Sequence, residues 1–458
     1  MKEKKAVDLG SGSVKKLLFS LALPTITSQI VNMLYNLVDR IYIGHMQPVD
    51  TVGALALTGL GVCLPVILVV SAFAALMAMG GVPRASICEG QGNAKESERI
   101  MGNSFSLLIC TALILTVVLQ LFAEPLLLTF GASENTISYA LDYMKIYSLG
   151  TVSVQVTLGM NAYITAQGFT TVSMKTVLIG AILNTILDPI FIFALGLGVR
   201  GAALATILSQ TVSALWVLRF LTGSRTKWKL RPANLKPVPA VFLPCIALGL
   251  SPFIMQSTES LISVCFNSSL LKYGGDLAVG AMTVLISIMQ LAMMPLQGLT
   301  QGAQPIISYN YGARNAQRVR DAFRCLLVSC VAYSMTLWAL VQLFPQAFAL
   351  IFNNDPALVE YAAWALRVYM AATGIFGVQI ACQQTFIALG NAKTSLFLAV
   401  LRKIILLIPL IFILPHFFTN KVFAVFLAEP LADVLAVCTT AAMFAVQFKK
   451  SMAELEKT

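Results

Sequence analysis

Apolar residues in this chain gather into long blocks, and the polar positions inside those blocks are few. The first interruption is orderly. In SQIVNMLYNLVDR, residues 28–40, Gln29, Asn32, Asn36 and Asp39 recur at spacings of 3, 4 and 3. Those spacings put all four on one face of an α-helix. A helix on the surface of a soluble protein carries a broad polar face and a narrower apolar stripe. Here the proportions are reversed, and a narrow polar stripe runs down an apolar rod. Twelve apolar blocks follow one another, at roughly 17–40, 52–80, 101–123, 137–161, 173–195, 201–221, 241–266, 279–301, 323–344, 361–386, 394–415 and 422–447. A membrane-spanning helix needs about 20 such residues. The pattern predicts an all-α integral membrane protein with twelve transmembrane helices.

Composition excludes the soluble class. Of 458 residues, 58% are hydrophobic and 11% charged, against about 45–50% and about 25% in soluble domains. The opening MKEKKAVDLGSGSVKKLLF is basic and then apolar, as in a signal peptide. The apolar block continues for more than twenty residues without a small-residue cleavage site, so it is expected to stay as the first span. The nine cysteines form no CxxC pair and sit mostly within spans, which reads as packing. His45 and His416 stand far apart, so no zinc or haem site is expected. No GxSxG, HExxH or P-loop motif occurs, which argues against an enzyme, against a cofactor and against an ATP-driven pump on this chain.

The net charge of +11 does not point to nucleic acid, because the cations are distributed by topology. With the N-terminus inside, inner segments hold 23 Lys and Arg, outer segments hold 4, and the other four lie within spans. This inner excess places both termini in the cytoplasm.

A repeat halves the chain. GGVPRASICEGQGNAKE from Gly80 overlays GAQPIISYNYGARNAQR from Gly302 at an offset of 222. The same offset carries Tyr147 to Tyr369, Gly168 to Gly390 and Ser173 to Ser395. Upstream it becomes about 227, and Gln29 meets Gln256. The expected organisation is an N-lobe at 1–221 with spans 1–6, a cytoplasmic linker at 222–240 and a C-lobe at 241–458 with spans 7–12. Six is even, so the two six-helix bundles should be related by a pseudo-twofold axis along the membrane normal. Two similar bundles that rock about a shared cleft give alternating access. Pro24 and Pro252, at nearly equivalent places in spans 1 and 7, are expected kink points.

Ionisable groups within spans are expensive and mark functional sites. Asp39 ends the first stripe; the competing reading pairs it with Arg40 at the interface. In span 5, NTILDPIFIF puts Asn184 and Asp188 at i,i+4 with Pro189 next. Two carboxylates with amide oxygens suit Na⁺, or a proton if one acid is desolvated. Span 7 repeats the stripe as Gln256, Glu259 and Ser263, with Glu259 a candidate for a cationic substrate or, alternatively, a structural carboxylate. Candidate lining residues are Gln29, Asn32, Tyr35, Asn36, Gln256, Glu259, Ser263, Met289, Met293, Gln379 and Gln383. Arg402 and Lys403 in span 11 face the pair Glu429 and Asp433 in span 12 as possible partners, or they snorkel to the inner surface. Glu89, in the loop EGQGNAKESER, is expected to be solvated.

At these residues the sequence resembles the multidrug and toxic compound extrusion (MATE) family, especially its bacterial MepA-like branch. The carriers are VDRIYIG ending span 1, GQGN after span 2, NTILDP in span 5, GAALAT opening span 6, the span 7 glutamate and the GxxN-type loop after span 8. The resemblance implies a secondary antiporter of the inner membrane that exports organic cations and amphiphilic drugs in exchange for H⁺ or Na⁺. It implies a cation-coupling site at Asp39, Asn184, Asp188 and Thr206, and a monomer whose partners are small molecules and the bilayer. One departure stands out: some members carry a second C-lobe acid in span 10, where FGVQIACQQTF offers glutamines. Coupling is therefore expected through the N-lobe. A lipid-linked oligosaccharide flippase would line its cleft with Arg and Lys, whereas these stripes are acidic and amide-bearing. A receptor or scaffold without transport is the reading from another class.

Overall fold

The computed structural model describes residues 7–47, 52–352 and 355–457, so the basic start MKEKKA lies outside it. Every regular element among the described residues is helical. In chain order they are α1 (Val14–Gly44), α2 (Ala54–Gly90), α3 (Ala94–Thr129), α4 (Ile137–Leu149), α5 (Thr151–Ala166), α6 (Thr170–Pro189), α7 (Gly198–Thr222) and α8 (Pro239–Gly312). Then come α9 (Ala316–Leu343), α10 (Pro345–Leu350), α11 (Pro356–Tyr369), α12 (Thr373–Ala388), α13 (Ala392–Val400), α14 (Ile408–Ile413) and α15 (Lys421–Lys457). Wider π-type turns at Ile190–Ala194 and Leu401–Leu407 extend α6 and join α13 to α14.

Each predicted apolar block falls in a helix or a helix pair. Among the described residues nine helices are long and apolar enough to cross a membrane, and α11 with α12, bent by 51°, makes a tenth. The other two come from α4 with α5, joined at Gly150, and from α8, which carries two successive spans. The break within α8 is at Gly275, whose φ of 66° and ψ of −163° lie where glycine alone is comfortable. A Cβ there would meet no neighbour, so the cost of adding one is all backbone. Gly275→Ala is expected to cost about 1–3 kcal/mol, read as a lower midpoint of thermal unfolding in detergent.

By contact the chain forms two compact units. One holds the segment ending at Leu9 and Thr27–Phe253, and the other holds Gly10–Ile26 and Ile254–Thr458. The partition therefore cuts α1 just after Pro24 and α8 just after Pro252. In the first unit α2 and α8 approach closely at glycines. A Cβ on Gly80 would strike the Cys245 carbonyl, and one on Gly249 would strike the Leu76 carbonyl. Small residues allow such backbone approach where no hydrophobic effect drives helices together. In the second unit α1 rests on α8 in the same way, at Gly298 against Ile26 and Gly302 against Ala22, and Thr25 Oγ1 donates to the Gly298 carbonyl at 2.7 Å.

The repeat is visible as matched bonds. Asn93 and Asn315 each cap the helix that follows, accepting from Glu96 N and Arg318 N. Gln120 donates to the Lys145 carbonyl and Gln342 to that of Arg367. Asn161 and Gln383 each donate to the carbonyl of their counterpart serines, Ser173 and Ser395. Gly168 and Gly390 both turn the chain at positive φ.

The stretch 222–240 is strapped to the first unit. Gln167 Oε1, fully buried, accepts from Thr226 Oγ1, Lys227 N and Trp228 N at 2.7, 2.8 and 2.9 Å. The Trp228 ring is buried edge-on against Tyr163. Glu98 holds Lys229 N and Arg231 Nε, and Asn103 accepts from Val238 N while donating to the Asn234 carbonyl. Lys227 lies 3.5 Å from Glu89, whose side chain is only 15% exposed. Glu89 is thus a strap contact and not the solvated residue expected from its loop. Gln167→Ala strands three donors and is expected to destabilise by about 1–3 kcal/mol, with earlier proteolytic cleavage near Arg225 as the readout.

Candidate functional site

The sequence-predicted coupling residues meet inside the first unit. Asn184 and Asp188 lie one turn apart at the end of α6, so their side chains stack on one face. Asn184 Nδ2 donates to Asp188 Oδ1 at 3.1 Å. Pro189 follows, and the helix widens into the π-type turn. Asp39, from α1, lies in the electrostatic neighbourhood of Asp188. Asp39, Asn184 and Asp188 are 7%, 1% and 0% exposed. No ion pair joins Asp39 to Arg40 among the described residues, and Arg40 itself is exposed.

Three oxygens here are buried with no donor among the described residues: Asp39 Oδ1, Asp188 Oδ2 and Asn184 Oδ1. An acceptor stranded in an apolar site is unfavourable unless a proton or cation joins it. Oxygen-only ligands at carboxylates and an amide fit a proton or a hard monovalent cation such as Na⁺. Thr206, on α7, is buried with its hydroxyl against that of Tyr143. Sequence reasoning did not place Tyr143 or Tyr147 at this site, and Tyr147 entered only as a position of the repeat. They stack at 5.9 Å beside the acids, buried on one face of α4. Their i,i+4 spacing inside an apolar span was the available signal.

The rest of the first stripe is more open. Gln29, Asn32 and Tyr35 are half-buried, and Asn36 is exposed with its amide donating to the Asn32 carbonyl at 2.8 Å. Tyr35 points its hydroxyl toward Gln210 and the two acids. The other candidates belong to the second unit. Gln256 and Ser263 are half-buried on α8, while Glu259 is exposed and bonded to Lys403. Met289 and Met293 are half-buried, and Met289 packs on the apolar core of that unit. Gln383 is buried and committed to Ser395. Gln379 is buried with its Oε1 lacking a donor.

A family model described as MatE matches residues 24–190 and 252–452. The chain belongs to the MatE family of membrane transporters, and its twelve-span all-helical fold is that family's. Similar proteins include the multidrug export protein MepA of Staphylococcus haemolyticus (strain JCSC1435), 25% identical over 459 residues that cover 100% of this chain and 98% of that one. MepA of Staphylococcus aureus (strain NCTC 8325 / PS 47) is 25% identical over 95% of this chain and 96% of its own. A crystal structure of MATE in the bent conformation superposes with a TM-score of 0.91 at 22% identity, over 99% of this chain and 100% of that one. A MOP superfamily transporter from Pyrococcus furiosus Vc1 (DSM3638) gives 0.90 at 23% identity, over the full length of both chains.

Proposed function

We propose that this chain is a secondary active antiporter that exports organic cations and amphiphilic drugs in exchange for H⁺ or Na⁺ by alternating access. The observation that carries the reading is the trio of buried, donor-less oxygens at Asp39, Asn184 and Asp188. The coupling ion binds there, with Thr206 beside it. Its arrival favours one conformation because its affinity differs between the two states. The candidate cargo contacts are the amide-bearing stripe Gln29, Asn32, Tyr35 and Asn36 in the first unit and Glu259 in the second. The relatives named as multidrug export proteins support small-molecule cargo. The working form is a monomer in the inner membrane of a bacterium. Both termini face the cytoplasm, and 222–240 joins the N-lobe to the C-lobe on that side.

The flippase reading needs free Arg and Lys for phosphates. Within the second unit Arg402 and Lys403 are buried and bonded to carboxylates, which disfavours it.

The test is extrusion of a fluorescent organic cation from cells that express the chain, under imposed Na⁺ and pH gradients. Extrusion that follows one gradient, above an empty-vector control, identifies the ion. Extrusion no faster than the control under either gradient overturns the proposal, and transfer of a lipid-linked pyrophosphate is measured next.

A further inference from the structure

Three carboxylates and two cations meet inside the second unit. Lys403 Nζ donates to Glu259 Oε1 at 2.7 Å. Arg402 donates through Nε to Asp433 Oδ1 at 2.7 Å and through Nη2 to Glu429 Oε1 at 2.9 Å. Arg402, Lys403, Glu429 and Asp433 are all buried, whereas the Glu259 side chain is 52% exposed. Glu429 Oε2 is buried and has no donor among the described residues. Tyr369, on α11, also faces these acids. The two cations are sequence neighbours in the π-type turn Leu401–Leu407, and they serve different helices: Arg402 serves α15 and Lys403 serves α8.

The charge count does not close. Fully ionised, the set is one positive charge short, and an unpaired buried charge is strongly unfavourable. Two single positive charges can fill the deficit. One is a proton at the inner end, on Glu429, where Oε2 lacks a partner. The other is a cation at the outer end, on Glu259, the exposed member of the set.

We propose that this set exchanges the two: an organic cation that takes Glu259 sends Lys403 to Glu429, and the Glu429 proton is released. The idea rests on the reading of organic cations as cargo. Before binding, the pairs are Lys403 with Glu259 and Arg402 with Asp433, and Glu429 is a neutral acid. After binding, the organic cation pairs with Glu259, Lys403 with Glu429 and Arg402 with Asp433. The only covalent change is the Glu429 O–H bond, whose proton passes to water. The set is neutral in both states, and one cation enters as one proton leaves. Lys403 is suited to the move. It is a point charge on a flexible stem that already interacts with Glu429. Arg402 is fixed by the Asp433 carboxylate, by the Glu429 carboxyl group and by the Phe376 ring 4.5 Å away, so it holds the frame.

The experiment is calorimetric titration of the purified full-length chain with tetraphenylphosphonium, a cation with no proton of its own. It is run at pH 7 in two buffers of different ionisation enthalpy, so that proton release is read separately from binding. The wild-type chain is expected to release about one proton more per bound cation than Glu429→Gln, which still binds. Lys403→Gln leaves Glu259 without its internal cation, and it is expected to bind about tenfold tighter while also losing that proton, as one freed charge-assisted bond predicts. Lys403→Gln keeps both Arg402 bonds, so it carries the test if Glu429→Gln fails to fold. Wild-type proton release in either variant overturns the exchange. Absence of any tetraphenylphosphonium binding by the wild-type chain overturns the organic-cation reading itself, and the exchange with it.

Discussion

Asp39→Asn is expected to reduce gradient-driven efflux of a fluorescent organic cation to the empty-vector level, with the protein still reaching the membrane in wild-type amounts. The substitution keeps the side chain's shape and removes its charge. Asp39 is 7% exposed and its Oδ1 has no donor among the described residues, and an amide there holds the side chain permanently neutral. A site that no longer loads and unloads a cation gives both conformations the same ion affinity, and an ion with equal affinity for both shifts nothing. Asp188→Asn should behave alike, because Asn184 already donates to that carboxylate. Initial efflux rates at matched expression provide the measurement. Efflux by Asp39→Asn that still follows an imposed gradient would remove the first unit's acids from the coupling mechanism.

Arg402→Leu is expected to be the most damaging single change in the second unit. It leaves Glu429 and Asp433 buried without their guanidinium, and breaking a buried pair from one side costs about 3–5 kcal/mol. Lower yield and a lower midpoint of thermal unfolding in detergent are the readouts. Arg402→Lys should not restore the loss, since one ammonium cannot reproduce two directed bonds to carboxylates on successive turns of α15. Adding Glu429→Gln and Asp433→Asn to Arg402→Leu should recover much of it, because no acid is then left buried without its guanidinium. Recovery failing in the triple variant would mean that Arg402 acts mainly through packing on Phe376.

The helices and their duplication were readable in the chain because both rest on local chemistry. An apolar block long enough to cross a bilayer can satisfy its backbone only as a helix. The offset of 222 reappears as the paired caps of Asn93 and Asn315 and the positive φ of Gly168 and Gly390, since each is set by residues a few positions apart. Asn184 and Asp188 were legible as a pair for the same reason. Gln383 was not: it is one of the candidate lining residues, and the structure binds it to the Ser395 carbonyl as the repeat binds Asn161 to that of Ser173.

By itself, the sequence determined the class of molecule, the number of spans, the doubling and the acids that must lie in the membrane. Tertiary structure alone decided which charge meets which. Lys403 meets Glu259 across a separation of 144 residues, and Arg402 takes both acids of α15. It also decided that the basic stretch 222–240 is held by Gln167, Glu98 and Asn103. Composition cannot choose among such pairings, because every Lys offers the same charge to every carboxylate. The choice is made by which helix faces pack together, and that packing is a property of the folded chain.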